Sequence, residues 1–142
     1  MIDELLTLKA AAIERCVSRT REEYRREPAT FAADLSRQDA AILNIVRACE
    51  AALHMGQHLI HRERLGVPQS ARNVFTLLAQ GGWIDVALAD GLMRMVDFRD
   101  IALHDYQALQ LPITVAIIEK HLDEFIDYSR VVLSKDGGPA GD

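Results

Sequence analysis

The sequence predicts an all-α protein, an antiparallel bundle of four or five helices. Apolar residues recur at intervals of three and four along most of the 142-residue chain, which is the period of an amphipathic helix. Breaks at Pro28, at Gly66 and Pro68, and at Gly81 divide the chain into helical segments joined by short loops. We therefore expect one helical domain over residues 1–133, followed by a flexible, glycine-rich tail over residues 134–142.

The first predicted helix covers residues 2–26. Its apolar positions recur at three or four: Leu5, Leu8, Ala12 and Cys16. The helix ends in a charge cluster that Pro28 closes. The arginines of this cluster could contact phosphates, but a solvated helix face, in which they alternate with glutamates, is the more common origin of such a pattern. They are Arg21, Arg25 and Arg26.

The second predicted helix covers residues 36–62, with Ser36 as its cap and Asp39 in its first turn. It carries two apolar stripes. One consists of Ile42, Val46, Cys49, Leu53, Gly56 and Ile60, and the other of Ile45, Ala48, Ala52, Met55 and Leu59. A single stripe suffices to dock a helix on a core. Two stripes indicate burial on two sides, either in the centre of the bundle or against a second protomer.

Three histidines of this helix, His54, His58 and His61, lie on one face at i, i+4 and i+7. Such spacing can hold a metal ion, but the glutamate of an H-E-x-x-H motif and an evident fourth ligand are missing. Histidines at the edge of the core or at an interface are the preferred interpretation. No metal and no cofactor are therefore expected.

Capping residues define the remaining helices. Ser70 and Gly81-Gly82 delimit a third helix over residues 71–80, and Asp85 begins a fourth over residues 86–97. Pro112 suits the first turn of a fifth helix, which is expected to end near Leu133.

Composition limits the classes of function. The formal net charge is −5, and residues 99–142 hold four Lys/Arg against eight Asp/Glu, so any surface that binds nucleic acid must be a local basic patch. The two cysteines, Cys16 and Cys49, are too far apart in sequence for a C-x-x-C pair and are expected to be small apolar helix residues. No signal peptide or membrane-spanning run is evident, which predicts a cytoplasmic protein without membrane contacts.

The segment RDIALHDY, residues 99–106, concentrates chemically useful side chains. Arg99 presents a fork of donors suited to phosphate, and His104 can exchange a proton near neutral pH. On a straight helix these two side chains would point about 140° apart. Either the backbone bends near Arg99, or a second copy of the chain completes the site. Asp100 lies four residues before His104 and could orient its imidazole.

The same segment resembles the Arg-x4-His-x-Tyr motif of the HepT family, within the HEPN class of helical ribonucleases. The resemblance extends over residues 35–133, including the turn at Gly66 and Pro68, and Phe98 before Arg99. The family commonly has asparagine where this chain has Asp100. The resemblance implies that Arg99 and His104 are the catalytic pair of a metal-independent endoribonuclease, acting on mRNA or tRNA.

The resemblance also implies a partner. Family members are toxins of two-gene toxin–antitoxin modules, silenced when a nucleotidyltransferase antitoxin of the MntA type transfers AMP to the motif tyrosine, here Tyr106. The alternative is a non-catalytic HEPN-like module that binds a nucleotide or a partner protein beside a nucleotidyltransferase. We further expect a homodimer in which two RDIALHDY segments face one cleft, because the second helix has surplus apolar surface and Arg99 diverges from His104.

Overall fold

A computed structural model describes residues 2–137 and confirms the all-α prediction, with helices and no strands in that range. The described part of the chain contains seven α-helices in succession: α1 (Glu4–Arg25), α2 (Pro28–Phe31), α3 (Leu35–Glu63), α4 (Ala71–Gln80), α5 (Val86–His104), α6 (Leu111–Lys120) and α7 (Leu122–Gly137). A 3₁₀ turn, Tyr106–Ala108, joins α5 to α6. None of these helices combines the length and the apolarity needed to cross a bilayer.

Helix α3 lies at the centre of the bundle, in contact with α1, α4, α5 and α7. Every residue of its two apolar stripes is buried. At Gly56 a Cβ atom would lie 2.6 Å from Cγ1 of Val74 and 3.1 Å from both Leu78 Cδ1 and the Tyr128 hydroxyl, so this glycine permits the close approach of α4 and α7. The second stripe is therefore covered within the chain, and it no longer argues for a second protomer.

Helix α1 buries a different face from the predicted one. The residues that are fully or almost fully buried are Leu6, Ala10, Ile13, Val17 and Thr20. Leu5 is 36% and Leu8 65% exposed, so the prediction for these two positions was wrong. Both stripes have the helical period, but the predicted one continues into Arg19, whereas the buried one continues to Thr20 and can face α3 along the helix.

Helix α3 begins at Leu35, and its cap is Asp34 rather than the predicted Ser36. The Asp34 carboxylate accepts a hydrogen bond from the Arg37 amide at 3.1 Å. The Arg37 side chain is itself buried, which the sequence did not indicate. Its guanidinium donates to the carbonyls of Glu23, Tyr24 and Glu27 at 2.8–3.2 Å and thereby joins α3 to the end of α1.

The C-terminal part departs from prediction in two ways. The fifth predicted helix is divided at His121 into α6 and α7, and α7 continues to Gly137. Residues 134–137, expected in a flexible tail, are therefore helical, while residues 138–142 lie outside the described part of the chain. Four apolar residues of this segment are buried: Ile118, Leu122, Phe125 and Val132.

Candidate functional site

The helix that carries Arg99 is continuous through it. The Asp85 carboxylate caps α5 as predicted, accepting from the Leu88 amide at 2.8 Å, but the helix ends at His104 rather than at the predicted Asp97. The backbone therefore makes no break at Arg99. Within one chain, Arg99 and His104 stay about 140° apart around the helix and about 7.5 Å apart along its axis. The structure places both on the C-terminal part of α5 without bringing their side chains together.

Carboxylates from two helices hold the Arg99 guanidinium. Its Nη2 lies 3.1 Å from Oε1 of Glu50 on α3, and its Nη1 lies 2.8 Å from Oδ1 of Asp100. Among residues 2–137, no acceptor bonds the buried Nε of Arg99. Burial raises the pKa of the neighbouring Cys49 to about 12, so this thiol is protonated and inert at neutral pH. Glu50 and Asp100 compensate the charge of Arg99, but its guanidinium can exchange either carboxylate for an entering anion.

Asp100 does not contact His104 in the way that the sequence suggested. Its carboxylate bonds Arg99, and no hydrogen bond joins it to His104 within the described residues. His104 is exposed as the last residue of α5. His104 is therefore accessible from solvent, and Asp100 acts on Arg99 instead.

Tyr106 begins the 3₁₀ turn that follows α5, and its side chain is bound to α3. The phenolic hydroxyl donates a hydrogen bond to Oδ1 of Asp39. Partial burial and this bond raise the pKa of Tyr106 to about 12. The residue nevertheless remains 43% exposed, so a modifying group can reach it.

The two contacts to α3 follow from its antiparallel packing on α5. Asp39 and Glu50 lie eleven residues apart, about three helical turns, and so point in nearly the same direction. In antiparallel packing, the earlier residue of one segment meets the later residue of the other. Asp39 therefore contacts Tyr106, and Glu50 contacts Arg99. Neither acid was predicted from the sequence to belong to the site. Their eleven-residue spacing indicates that both acids lie on one side of α3. It does not identify their partners unless the register of α3 against α5 is known.

The other polar clusters have structural partners. Arg21 lies 2.7 Å from Asp123 of α7, and Arg26 lies 3.6 Å from Glu23, in agreement with a solvated, ion-paired face. Of the three histidines on α3, His58 lies 2.7 Å from the carboxylate of Asp3, at the edge of the core. Between residues 2 and 137 no three acidic, histidine or cysteine side chains converge as metal ligands would.

The end of α5 and the turn after it therefore carry a guanidinium that can bind phosphate, an exposed imidazole that can transfer a proton, and a phenol that is partly exposed. Each lies on or directly after α5, at positions 99, 104 and 106.

Comparison with known proteins identifies relatives over most of the chain. A sequence model of the family described as ribonuclease HepT-like matches residues 12–132. A curated relative from Shewanella oneidensis, named mRNA nuclease HepT, is 40% identical over 131 residues, which are 92% of this chain and 98% of the relative.

Solved structures show the same likeness. A tri-AMPylated HEPN toxin of Shewanella oneidensis in complex with an MNT antitoxin has a TM-score of 0.88 at 40% identity, covering 92% of this chain and 98% of that one. A toxin–antitoxin complex with AMP-PNP also has a TM-score of 0.88, at 39% identity and with the same coverage.

Proposed function

Because the chain belongs to the HepT-like ribonuclease family, we propose that it is the toxin of a two-gene toxin–antitoxin module and cleaves mRNA in the cytoplasm. The observation that carries this proposal is the conjunction of Arg99, His104 and Tyr106 at the family spacing on an accessible part of α5. The substrate class follows the name of the Shewanella relative.

In the proposed reaction, Arg99 and His104 divide the work of RNA cleavage. The imidazole of His104 takes the proton of the 2′-hydroxyl or protonates the leaving 5′-oxygen. The guanidinium of Arg99 stabilises the charge that grows on the phosphate, and a phosphate oxygen replaces the carboxylate of Glu50 or Asp100. The products are a 2′,3′-cyclic phosphate and a 5′-hydroxyl, and no metal ion takes part in these steps.

A homodimer would complete this site. On the continuous helix α5, Arg99 and His104 of one chain point in different directions, so a partner copy across a two-fold axis can supply the missing side chain. Leu43 on α3 and Leu103 on α5 are 47% and 50% exposed, and that copy can cover them. Sedimentation equilibrium should give twice the monomer mass of 15.9 kDa. A monomer that retains RNA cleavage would contradict a shared cleft.

The proposed silencing step is the transfer of AMP to Tyr106 by a nucleotidyltransferase antitoxin of the MntA type. Solved relatives support this proposal, since one is a tri-AMPylated toxin bound to its antitoxin. A nucleotide on Tyr106 would add bulk and negative charge two residues from His104 and would compete for Arg99. Incubation with the cognate enzyme and ATP should add AMP mass to the peptide containing Tyr106, and Tyr106→Phe should abolish the addition. AMP found only on other peptides would contradict this assignment.

The second candidate is a non-catalytic module that binds a nucleotide or a partner. The net charge of −5 and the two carboxylates on Arg99 favour it. Induced expression separates the two functions: growth arrest that disappears in both Arg99→Ala and His104→Ala supports catalysis. Matched controls are Arg94→Ala and His54→Ala, two exposed positions on α5 and α3, which should arrest growth like the unmodified protein. Arrest that persists in both site variants would support binding instead.

A further inference from the structure

The contact between α3 and the 3₁₀ turn has a chemical consequence. We propose that Asp39 accepts the proton of the Tyr106 hydroxyl while AMP is transferred to that oxygen, so that the toxin chain supplies the proton acceptor for its own silencing. This inference rests on the proposed modification of Tyr106.

The geometry already places donor and acceptor together. The Tyr106 hydroxyl donates to Oδ1 of Asp39, which lies in the second turn of the central helix α3 and is held there by the packing of that helix. Asp39 is itself exposed, and Tyr106 is 43% exposed, so the hydrogen-bonded pair lies at the surface, where a nucleotide can approach it.

The reaction needs such an acceptor. The phenolic oxygen attacks the α-phosphorus of ATP held by the antitoxin, the new O–P bond forms, and the bond between the α-phosphorus and the bridging oxygen breaks to release pyrophosphate. The phenolic proton passes to the Asp39 carboxylate. With the pKa of Tyr106 at about 12, only roughly one molecule in 10⁴–10⁵ would carry a free phenolate at pH 7.5. Protein kinases solve the same problem with an aspartate that accepts the proton of the substrate hydroxyl.

Other carboxylates near the site are less suited to this role. Glu50 and Asp100 are bound to Arg99. Asp105 precedes Tyr106 in the chain, but among the described residues it makes no hydrogen bond to the phenol. The negative charge of Asp39 is also one of the causes that raise the pKa of the Tyr106 hydroxyl. Among residues 2–137, Asp39 alone forms a direct hydrogen bond with the phenol.

The Asp39→Asn variant distinguishes proton acceptance from simple positioning. An asparagine oxygen can still accept the hydrogen bond from the phenol, but it cannot take the proton. Asp39→Glu keeps a basic group and should restore part of the rate. Asp105→Asn removes the same formal charge from the neighbouring position and controls for electrostatics.

The experiment measures the first AMP addition under single-turnover conditions, with the intact chain, the cognate nucleotidyltransferase, Mg²⁺ and α-labelled ATP. Asp39→Asn should be slower by about 10²–10⁴ at saturating antitoxin, the usual contribution of a general base. Its rate should rise about tenfold per pH unit between pH 7 and 9, because reaction then requires the free phenolate. The unmodified chain should vary little over this range, and Asp105→Asn should stay within about threefold.

Three outcomes would overturn the inference: an undiminished rate in Asp39→Asn, an equal loss in Asp39→Asn and Asp105→Asn, or a defect of Asp39→Asn that higher antitoxin concentration removes. Circular dichroism melts confirm that each variant is folded. Peptide mass spectrometry separates this failure from that of the proposed function. If the unmodified chain carries no AMP on Tyr106, the silencing proposal itself is wrong.

Discussion

Replacing Gly56 by alanine tests whether the small residues of α3 serve packing within the chain. The added methyl group would lie 2.6 Å from Cγ1 of Val74 and 3.1 Å from the Tyr128 hydroxyl, which donates to the Ala52 carbonyl at 2.9 Å. Overpacking of this kind costs about 1–3 kcal/mol, and the better helix propensity of alanine offsets about 1 kcal/mol. Because a contact of 2.6 Å lies at the severe end of overpacking, we expect a net decrease in the free energy of unfolding of about 2 kcal/mol.

Urea unfolding at one fixed protein concentration measures this decrease, because association would otherwise shift the apparent stability. Gln57→Ala, an exposed position next along α3, is the control and should change stability by less than about 0.5 kcal/mol. The double variant Gly56→Ala/Val74→Ala removes the closest clash, so its loss should be smaller than the sum of the two single losses by about 1 kcal/mol. Unchanged stability of Gly56→Ala together with a weakened dimer would refute the reasoning, since Gly56 would then face another chain.

Two further predictions concern polar contacts that stabilise the fold. Arg37→Met should lower the free energy of unfolding by about 3 kcal/mol, because three carbonyls lose a charged donor. Arg25→Met, at an exposed position, should change it little. Equal effects of the two substitutions in urea unfolding would contradict this prediction. Burial alone would raise the pKa of Asp3, but hydrogen bonds from His58 and Arg62 outweigh it and hold that pKa below its ordinary value of 3.8. A lowered folded-state pKa stabilises the protein above about pH 4, and this effect is lost as the pH falls through the folded pKa. Asp3→Asn, which preserves the helix cap, should therefore be less stable than the unmodified chain at pH 7, and the difference should shrink as the pH falls below about 4. A difference that stays constant from pH 7 to the acid range would refute the linkage.

The sequence predicted those parts of the fold that local signals determine. Ser70, Asp85 and Gly81 marked helix ends correctly because caps and stops act within a few residues. The end of α5 was misplaced because the segment after Asp97 contains no glycine or proline to stop a helix, and the functional motif suggested an interruption that the backbone does not make.

Features that depend on contacts between distant segments could not be predicted. The two candidate stripes of α1 have the same period, so only the packing partner decides which is buried. A single arginine on a helix is normally a surface residue, and the carbonyls that hold Arg37 become available only when α1 ends beside α3. Likewise Asp39 and Glu50 join the site only through the register of α3 against α5.

The most direct test of the proposed function is the cleavage of a defined RNA by the purified protein in the presence of EDTA. Cleavage should persist and leave a 2′,3′-cyclic phosphate, because Arg99 and His104 can promote attack by the 2′-hydroxyl without a metal. His104→Ala should be slower by about 10²–10⁴, and Arg99→Lys should also be poor, since a point charge does not replace a planar fork. Complete loss of cleavage in EDTA, restored by Mg²⁺, would contradict the proposal.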